Sequence, residues 1–295
     1  MKIAIPLLLL TLAGCTQPVT PGSGGPAPQT IVSTNPCADA MLVELVPPSH
    51  IAAISHYSVE AEASSMPLAI ARRFATTAGT AEEVIGLHPD LVVTSSFTPP
   101  ATLAAYRRAG LKVLTLDSPT TIAASEAQVR MLAAALGAQG QGEAMIARIE
   151  SAITASSVPR RRPGPSYGTR ATGPWPSPGN NREPTALLFI AGDLANGSGT
   201  LLDELLTRAG FRNAAADYGL HFTGTLPIET IAAFPPRVIL APDVSRTAIL
   251  RTRVLARTGA TVTQANFPRN LVNCGGPTII PALQRLAAIR RSLTS

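Results

Sequence analysis

A short pattern occurs twice in this chain, and it limits the fold more than any other feature. Glu82-Glu83-Val84-Ile85-Gly86-Leu87-His88-Pro89-Asp90-Leu91-Val92-Val93 aligns with Glu229-Thr230-Ile231-Ala232-Ala233-Phe234-Pro235-Pro236-Arg237-Val238-Ile239-Leu240. Each copy reads as a short helix with glutamate in its first turn, a proline stop, and an apolar strand. The second copy starts 147 residues after the first (82 to 229). A second pair, Ala109-Gly110-Leu111 and Thr258-Gly259-Ala260, lies 149 residues apart (110 to 259). Nearly equal offsets point to one lobe built twice.

The flanking sequence extends both copies. In the first half, strands read at Thr30–Ser33, His50–Ser55, Asp90–Thr94 and Leu111–Leu116. Helices read at Cys37–Leu45, from Ala81, and at Pro100–Ala109. In the second half, strands read at Ala186–Ala191, Arg237–Ala241 and Ala260–Gln264. Its helices read at Thr200–Ala209, from Ile228, at Ala248–Arg257 and at Pro277–Leu293, and 192–200 reads as a loop. Strands alternating with helices predict parallel sheets with crossover helices. Between the halves, 121–157 reads as two helices broken at Gly137, Gly140 and Gly142. The second, from about Gln141 to Ser156, places Met145, Ile146, Ile149 and Ile153 on one face. The predicted fold class is α/β: two Rossmann-like lobes with mainly parallel sheets, joined by a long bridging helix.

The predicted organisation is a signal peptide over 1–14, a lipidated flexible tether over 15–29, an N-terminal lobe over 30–120, bridging helices over 121–157, a Pro/Gly/Arg-rich loop over 158–184 and a C-terminal lobe over 185–295. Ile3–Leu12 is apolar but too short to span a bilayer. It ends in Leu12-Ala13-Gly14-Cys15, which resembles a bacterial lipobox and implies lipidation of Cys15. The tether, rich in Pro, Gly, Ser and Thr, has almost nothing to bury.

The net charge of +6 is mostly local. Arg160, Arg161, Arg162, Arg170 and Arg182 face one acid, Glu183, which leaves +4 within 158–184. With Lys2 lost along with the signal peptide, the rest of the chain is near +1. This argues against a nucleic-acid-binding face. Trp175 inside the segment carries little weight alone.

Several chemical motifs are incomplete. Gly192–Thr200 faintly resembles a phosphate loop but lacks the lysine, leaving only backbone N–H groups to offer an anion. His50, His56, His88 and His221 show no metal-ligand spacing, so no protein-held metal is expected. Cys37 sits in the first turn of a predicted helix, where the dipole favours a thiolate. It reads equally as a nucleophile, half of a disulfide, or a small loop residue.

Ser33-Thr34-Asn35-Pro36-Cys37-Ala38-Asp39, then Ile51-Ala52-Ala53-Ile54-Ser55-His56-Tyr57-Ser58, then the 82–93 pattern, resemble the first lobe of an ABC-importer substrate-binding protein. The likeness is to the helical-backbone class, whose members bind vitamin B12, haem and ferric siderophores. Gly199–Leu206 with Ala209–Asn213 resembles the start of that family's second lobe. The resemblance implies a ligand cleft between the lobes, at the carboxyl ends of the strands. It implies ligand contacts from Asn35, His56, Tyr57, Phe97, Phe222 and Arg269, with Tyr57 matching an aromatic the family sets against its ligand. It also implies docking of Glu82 and Glu229, one per lobe, to arginines of a permease. Glu83 has no acidic counterpart at Thr230, which favours Glu82.

The expected function is capture of an iron chelate (siderophore or haem) or a corrinoid. Delivery would be to an ABC permease dimer with its ATPase. The protein is expected to be a monomer without catalytic activity, cofactor or nucleic-acid partner. It would be lipid-anchored in the periplasm or on the outer face of a bacterial membrane. With Cys15 lipidated, Cys37 and Cys274 remain, both in loops facing the expected cleft, and they are expected to pair across it. Two other readings remain open: an envelope thiol enzyme or hydrolase using Cys37, and a lipoprotein adaptor without a small ligand.

Overall fold

The computed structural model describes residues 27–156, 183–242, 246–257, 259 and 261–293. The expected signal peptide, Cys15, most of the tether, and residues 157–182 with Trp175 lie outside the described residues.

The first lobe is a parallel sheet of β1 (Ile31–Ser33), β2 (Ile51–Ser55), β3 (Thr76–Thr77), β4 (Leu91–Ser95) and β5 (Val113–Leu116), ordered β3-β2-β1-β4-β5. Helices α1 (Pro36–Leu45), α2 (Leu68–Ala71), α3 (Ala81–Gly86) and α4 (Pro100–Arg108) connect the strands. Ile31, Val32 and Ser33 are all buried, as are Leu91 through Thr94. Burial on both faces explains why these central strands read as apolar runs rather than alternating ones. Asn35 caps α1, with its Oδ1 accepting from the N–H groups of Cys37 (3.0 Å) and Ala38 (3.4 Å).

Two helices follow: α5 (Ile122–Leu136) and α6 (Gln139–Ser156). Thr121 caps α5, and Gly137 ends it in the left-handed conformation, φ 68°. Gly140 and Gly142, expected to interrupt the helix, lie inside α6. A Cβ on Gly142 would lie 2.6 Å from the Ala133 Cβ, so this glycine permits close packing of α5 on α6. At 18 residues, α6 is about 27 Å long. Its Met145, Ile146 and Ile149 are buried as predicted.

The second lobe contains β6 (Thr185–Ala191), β7 (Leu194–Asn196), α7 (Leu201–Arg208), β8 (Arg212–Asn213), β9 (Thr223–Thr225), α8 (Ile228–Ala233), β10 (Val238–Ala241), α9 (Arg246–Arg257), β11 (Thr263–Asn266) and α10 (Ile279–Ser292). The parallel run β11-β10-β6 repeats β5-β4-β1 of the first sheet. Helix α8 begins 147 residues after α3 (81 to 228), and β10 begins 147 after β4 (91 to 238). The sequence repeat is therefore a structural repeat.

The lobes differ beyond that triplet. In the second, β7 pairs antiparallel with β6, and β9 antiparallel with β7, so this sheet is mixed. The 192–200 segment, read from sequence as a loop, contains β7. The strand was hidden because Leu194-Ala195-Asn196 is too short to show a period. β11 starts three residues later than the sequence predicts, because its alternately exposed Thr-Gln-Ala-Asn lacks an apolar run.

One hydrophobic core runs through Ile31, Leu42 and Val93, on through Leu132, Met145 and Ile149, to Leu188, Leu205, Phe211 and Leu283. It joins both lobes to the bridging helices. Among the described residues, no helix is long and apolar enough to cross a membrane.

Candidate ligand-binding site

Where β2 ends, Ser55 Oγ accepts the Tyr57 N–H (3.3 Å) and starts a tight turn over His56–Val59. His56 Nδ1 lies 3.2 Å from the Thr77 carbonyl. A carbonyl only accepts, so Nδ1 carries the hydrogen in this contact. The His56 and Tyr57 rings pack with centroids 4.0 Å apart and planes tilted by 37°. Tyr57 remains 49% exposed.

This aromatic pair is braced from two sides. Glu83 accepts from Thr77 Oγ1 (2.7 Å) and the Ala78 N–H (2.8 Å). Those bonds, with Thr77 the larger influence, hold its carboxyl below the usual range. Buried Tyr106 donates its hydroxyl to the Gly79 carbonyl at 2.7 Å. On the other side, Asp39 Oδ2 accepts from the Ser55 N–H (2.9 Å) and the Ser58 hydroxyl (2.7 Å). Burial raises the Asp39 pKa to about 7 despite the opposing influence of the nearby Ser33 and Ser58 hydroxyls and the Ser55 N–H.

Beside this pair, the ends of β1 and β4 carry linked hydroxyls. Thr34 Oγ1 donates to Thr94 Oγ1 at 3.1 Å, and Thr94 bonds Thr98. Phe97, in the turn between them, is 80% exposed. Asn35 is only 6% exposed; its oxygen serves the α1 cap, and its Nδ2 reaches the Thr94 carbonyl at 3.4 Å. In this structure Asn35 joins β1, β4 and α1 beneath the surface rather than presenting an amide at it.

In the second lobe, Phe222 is 63% exposed and has a positive φ of 60°. Its N–H donates to the Ser198 carbonyl at 2.8 Å, and its carbonyl accepts from Gly197. Neighbouring His221 bonds Ser198 Oγ through Nδ1 (2.9 Å). Three N–H groups of the glycine-rich segment are already used. Gly197 donates to Phe222, Ser198 to the Leu220 carbonyl (3.1 Å), and Gly199 to the Asp203 carboxylate (3.0 Å). Those three amides are therefore not free for an anion. Arg269 is exposed in the turn after β11.

The structure joins Cys37 to Cys274, with Cα atoms 5.2 Å apart. Cys37 follows the carboxyl end of β1, and Cys274 follows that of β11. The bond therefore puts the strand-end loops of the two sheets side by side. Ser65 Oγ donates to Cys274 Sγ (2.9 Å), and the Gly276 N–H donates to Ser125 Oγ (2.7 Å). Bonded in this way, Cys37 has no thiolate to offer as a nucleophile.

Glu82 and Glu229 are exposed in the first turns of the equivalent helices α3 and α8. Glu83 is engaged at Thr77, whereas the Glu82 side chain makes no hydrogen bond or ion pair among the described residues. Sequence reasoning missed Asp39, Ser198 and the placement of His221 beside Phe222. An acid in the first turn of a helix reads as a dipole partner, and burial is invisible at that stage.

The sequence profile described as periplasmic binding protein matches residues 31–262. The chain belongs to that family. No curated protein sequence matches it. Among solved structures, this periplasmic binding protein is similar to a periplasmic haem-binding protein from Pseudomonas aeruginosa. Identity is 23% and TM-score 0.63, covering 89% of this chain and 92% of the other. It is also similar to the periplasmic vitamin B12-binding protein BtuF of Vibrio cholerae (16%, TM-score 0.63, 91% and 99% covered). A third is an ABC transporter substrate-binding protein from Listeria monocytogenes (16%, TM-score 0.62, 88% and 98% covered). At these identities the likeness establishes a shared two-lobed fold.

Proposed function

We propose that this periplasmic binding protein is the substrate-binding component of an ABC importer. It captures an iron chelate (haem or siderophore) or a corrinoid between its lobes and delivers it to a membrane permease with its ATPase. The observation that carries this reading is the braced His56–Tyr57 pair at the carboxyl ends of parallel strands. The Cys37–Cys274 bond holds that edge beside the corresponding edge of the second lobe. Ligands of open α/β lobes bind beyond such strand ends.

Tyr57 and Phe97 supply aromatic surface from one lobe and Phe222 from the other, suited to a flat conjugated ligand. Arg269 supplies a cation for an anionic substituent. Among the described residues there is no cluster of three or more His, Cys, Asp or Glu that could hold a metal. A bound metal in this reading therefore belongs to the cargo and arrives with its own ligands. The printed descriptions of similar structures, which include haem- and vitamin B12-binding proteins, support the same ligand classes. Glu82 and Glu229, repeated at one offset on two lobes, suit docking to the two halves of a permease dimer. Lipidation of Cys15 would anchor the protein at the outer face of a membrane.

The test is a panel of haemin, cyanocobalamin and a ferric catecholate, each followed by absorbance titration and thermal shift. The reading expects one class to bind stoichiometrically and raise the melting temperature. Silence across the panel favours the adaptor reading.

A further inference from the structure

Asp39 is fully buried in the first turn of α1, yet its side chain is not needed to cap that helix, because Asn35 already does so. Its Oδ2 takes two donors, Ser55 N–H and Ser58 Oγ–H, which bracket His56 and Tyr57 in sequence. Its Oδ1 has no hydrogen-bond partner. A buried carboxyl left half-satisfied is costly, and helix formation does not account for it. The position of its two bonds does suggest a role. They fix both ends of the turn that presents the aromatic pair.

We propose that Asp39 is a positioning residue for ligand binding: its carboxylate anchors the Ser55–Ser58 turn and so sets the orientation of Tyr57 and His56. The proposal rests on the ligand-binding reading above. An ionised carboxylate accepts hydrogen bonds more strongly than a protonated one, so the anchor is tighter when Asp39 is charged.

The surroundings make this group responsive near neutral pH. Burial is the main influence on it, followed by the hydroxyls of Ser33 and Ser58 and the Ser55 N–H; no charged side chain contributes. The charged groups on the helices packed against α1 are Glu126 and Arg130 of α5 and Glu143, Arg148 and the exposed Glu150 of α6. On α5, Glu126 and Arg130 face each other at 4.0 Å, and Arg130 also bonds Glu143 of α6 at 3.0 Å. On α6, Arg148 pairs with Glu44 at the far end of α1. The Gly276–Thr278 turn carries no titratable group. In the anchored turn itself, His56 directs Nδ1 to Thr77.

The test uses intact, disulfide-bonded protein with 13C-labelled tyrosine rings. The sequence has four tyrosines, and Tyr57 is assigned by its loss in Tyr57→Phe. Because His56 packs on Tyr57 and imidazoles titrate in the same range, spectra are recorded in a His56→Gln background. The expected result is a Tyr57 resonance that shifts with pH around a midpoint of about 7, and a flat response in Asp39→Asn. A Tyr57 resonance that does not titrate, or that titrates equally in Asp39→Asn, overturns the proposal. Should Asp39→Asn fail to fold, Ser58→Ala decides. Losing one donor to the carboxylate must raise the midpoint, and an unmoved midpoint overturns the proposal.

Haemin titrations at pH 6 and pH 8 provide a second arm, with native His56 retained. The proposal expects several-fold tighter binding at pH 8 than at pH 6, reduced or lost in Asp39→Asn. Equal dependence in both proteins counts against it. Absence of haemin binding at both pH values counts against haem as cargo, and the tyrosine spectra still decide the role of Asp39.

Discussion

Tyr57 keeps half its surface open in a protein with only 4% aromatic residues, and its ring is held rather than free. Stacking on a conjugated ligand contributes about 0.5–1.5 kcal/mol beyond area burial. Tyr57→Ala should therefore weaken capture of the ligand that binds by roughly tenfold once lost contact area is included. Tyr57→Phe should retain most of the affinity if stacking dominates. Equal losses in both variants, measured by absorbance titration, would assign the effect to the hydroxyl instead. Asp39 makes a separate prediction about stability. Its folded pKa of about 7 lies above its ordinary 3.8, so the native state binds more protons between those values. Stability therefore falls as pH rises from about 4 to about 7, by roughly 4 kcal/mol in all, and is flat above. Glu83 has the opposite sign: its lowered pKa gives stability that is lost only as pH falls into the acid range. Calorimetry from pH 5 to pH 8, compared between the native protein and Asp39→Asn, isolates Asp39, because the histidines are common to both. Melting temperature should decline across that range in the native protein, and Asp39→Asn should remove most of the decline.

At the scale of elements, legibility followed burial. β4 and β10 could be read from sequence because Leu91-Val92-Val93 and Val238-Ile239-Leu240 are buried on both faces and carry no competing signal. α5 announced both its ends, at Thr121 and Gly137. β7 and β9 stayed hidden because Leu194–Asn196 and Thr223–Thr225 owe their pairing to a hairpin and a distant turn. The fit is tight at Gly197, where a Cβ would lie 2.0 Å from the Phe222 carbonyl. Gly197→Ala should displace the segment bearing His221 and Phe222 and destabilise the fold by about 2 kcal/mol or more, measured by urea denaturation. An unchanged denaturation midpoint would show that β7 and the 220–222 segment can separate without cost. The candidate site was legible where an aromatic followed a readable strand, as at Tyr57. It was not legible at Asp39, whose significance depends on being buried against a turn that lies 16 residues away at Ser55.

Over the whole molecule, two features limit how the lobes move. One is the shared core through α5 and α6; the other is the Cys37–Cys274 bond, which spans 237 residues of chain. In the loop-entropy description such a bond contributes about 5 kcal/mol, less any native-state strain. Reduction should lower the melting temperature by on the order of 10 °C. A protein that melts identically with and without reductant would mean that the two sulfurs are not paired in solution. The bond sits at the edge where ligand is proposed to enter, so a reduced protein should also release ligand faster. This periplasmic binding protein is proposed to capture a chelate or corrinoid against the Tyr57 pair. The most direct test is absorbance titration of the purified protein, with Tyr57→Ala in parallel, against haemin, cyanocobalamin and a ferric catecholate. Saturable one-to-one binding of at least one of the three, weakened in Tyr57→Ala, is expected. No binding by any of them, or equal binding by the variant, would contradict the proposal.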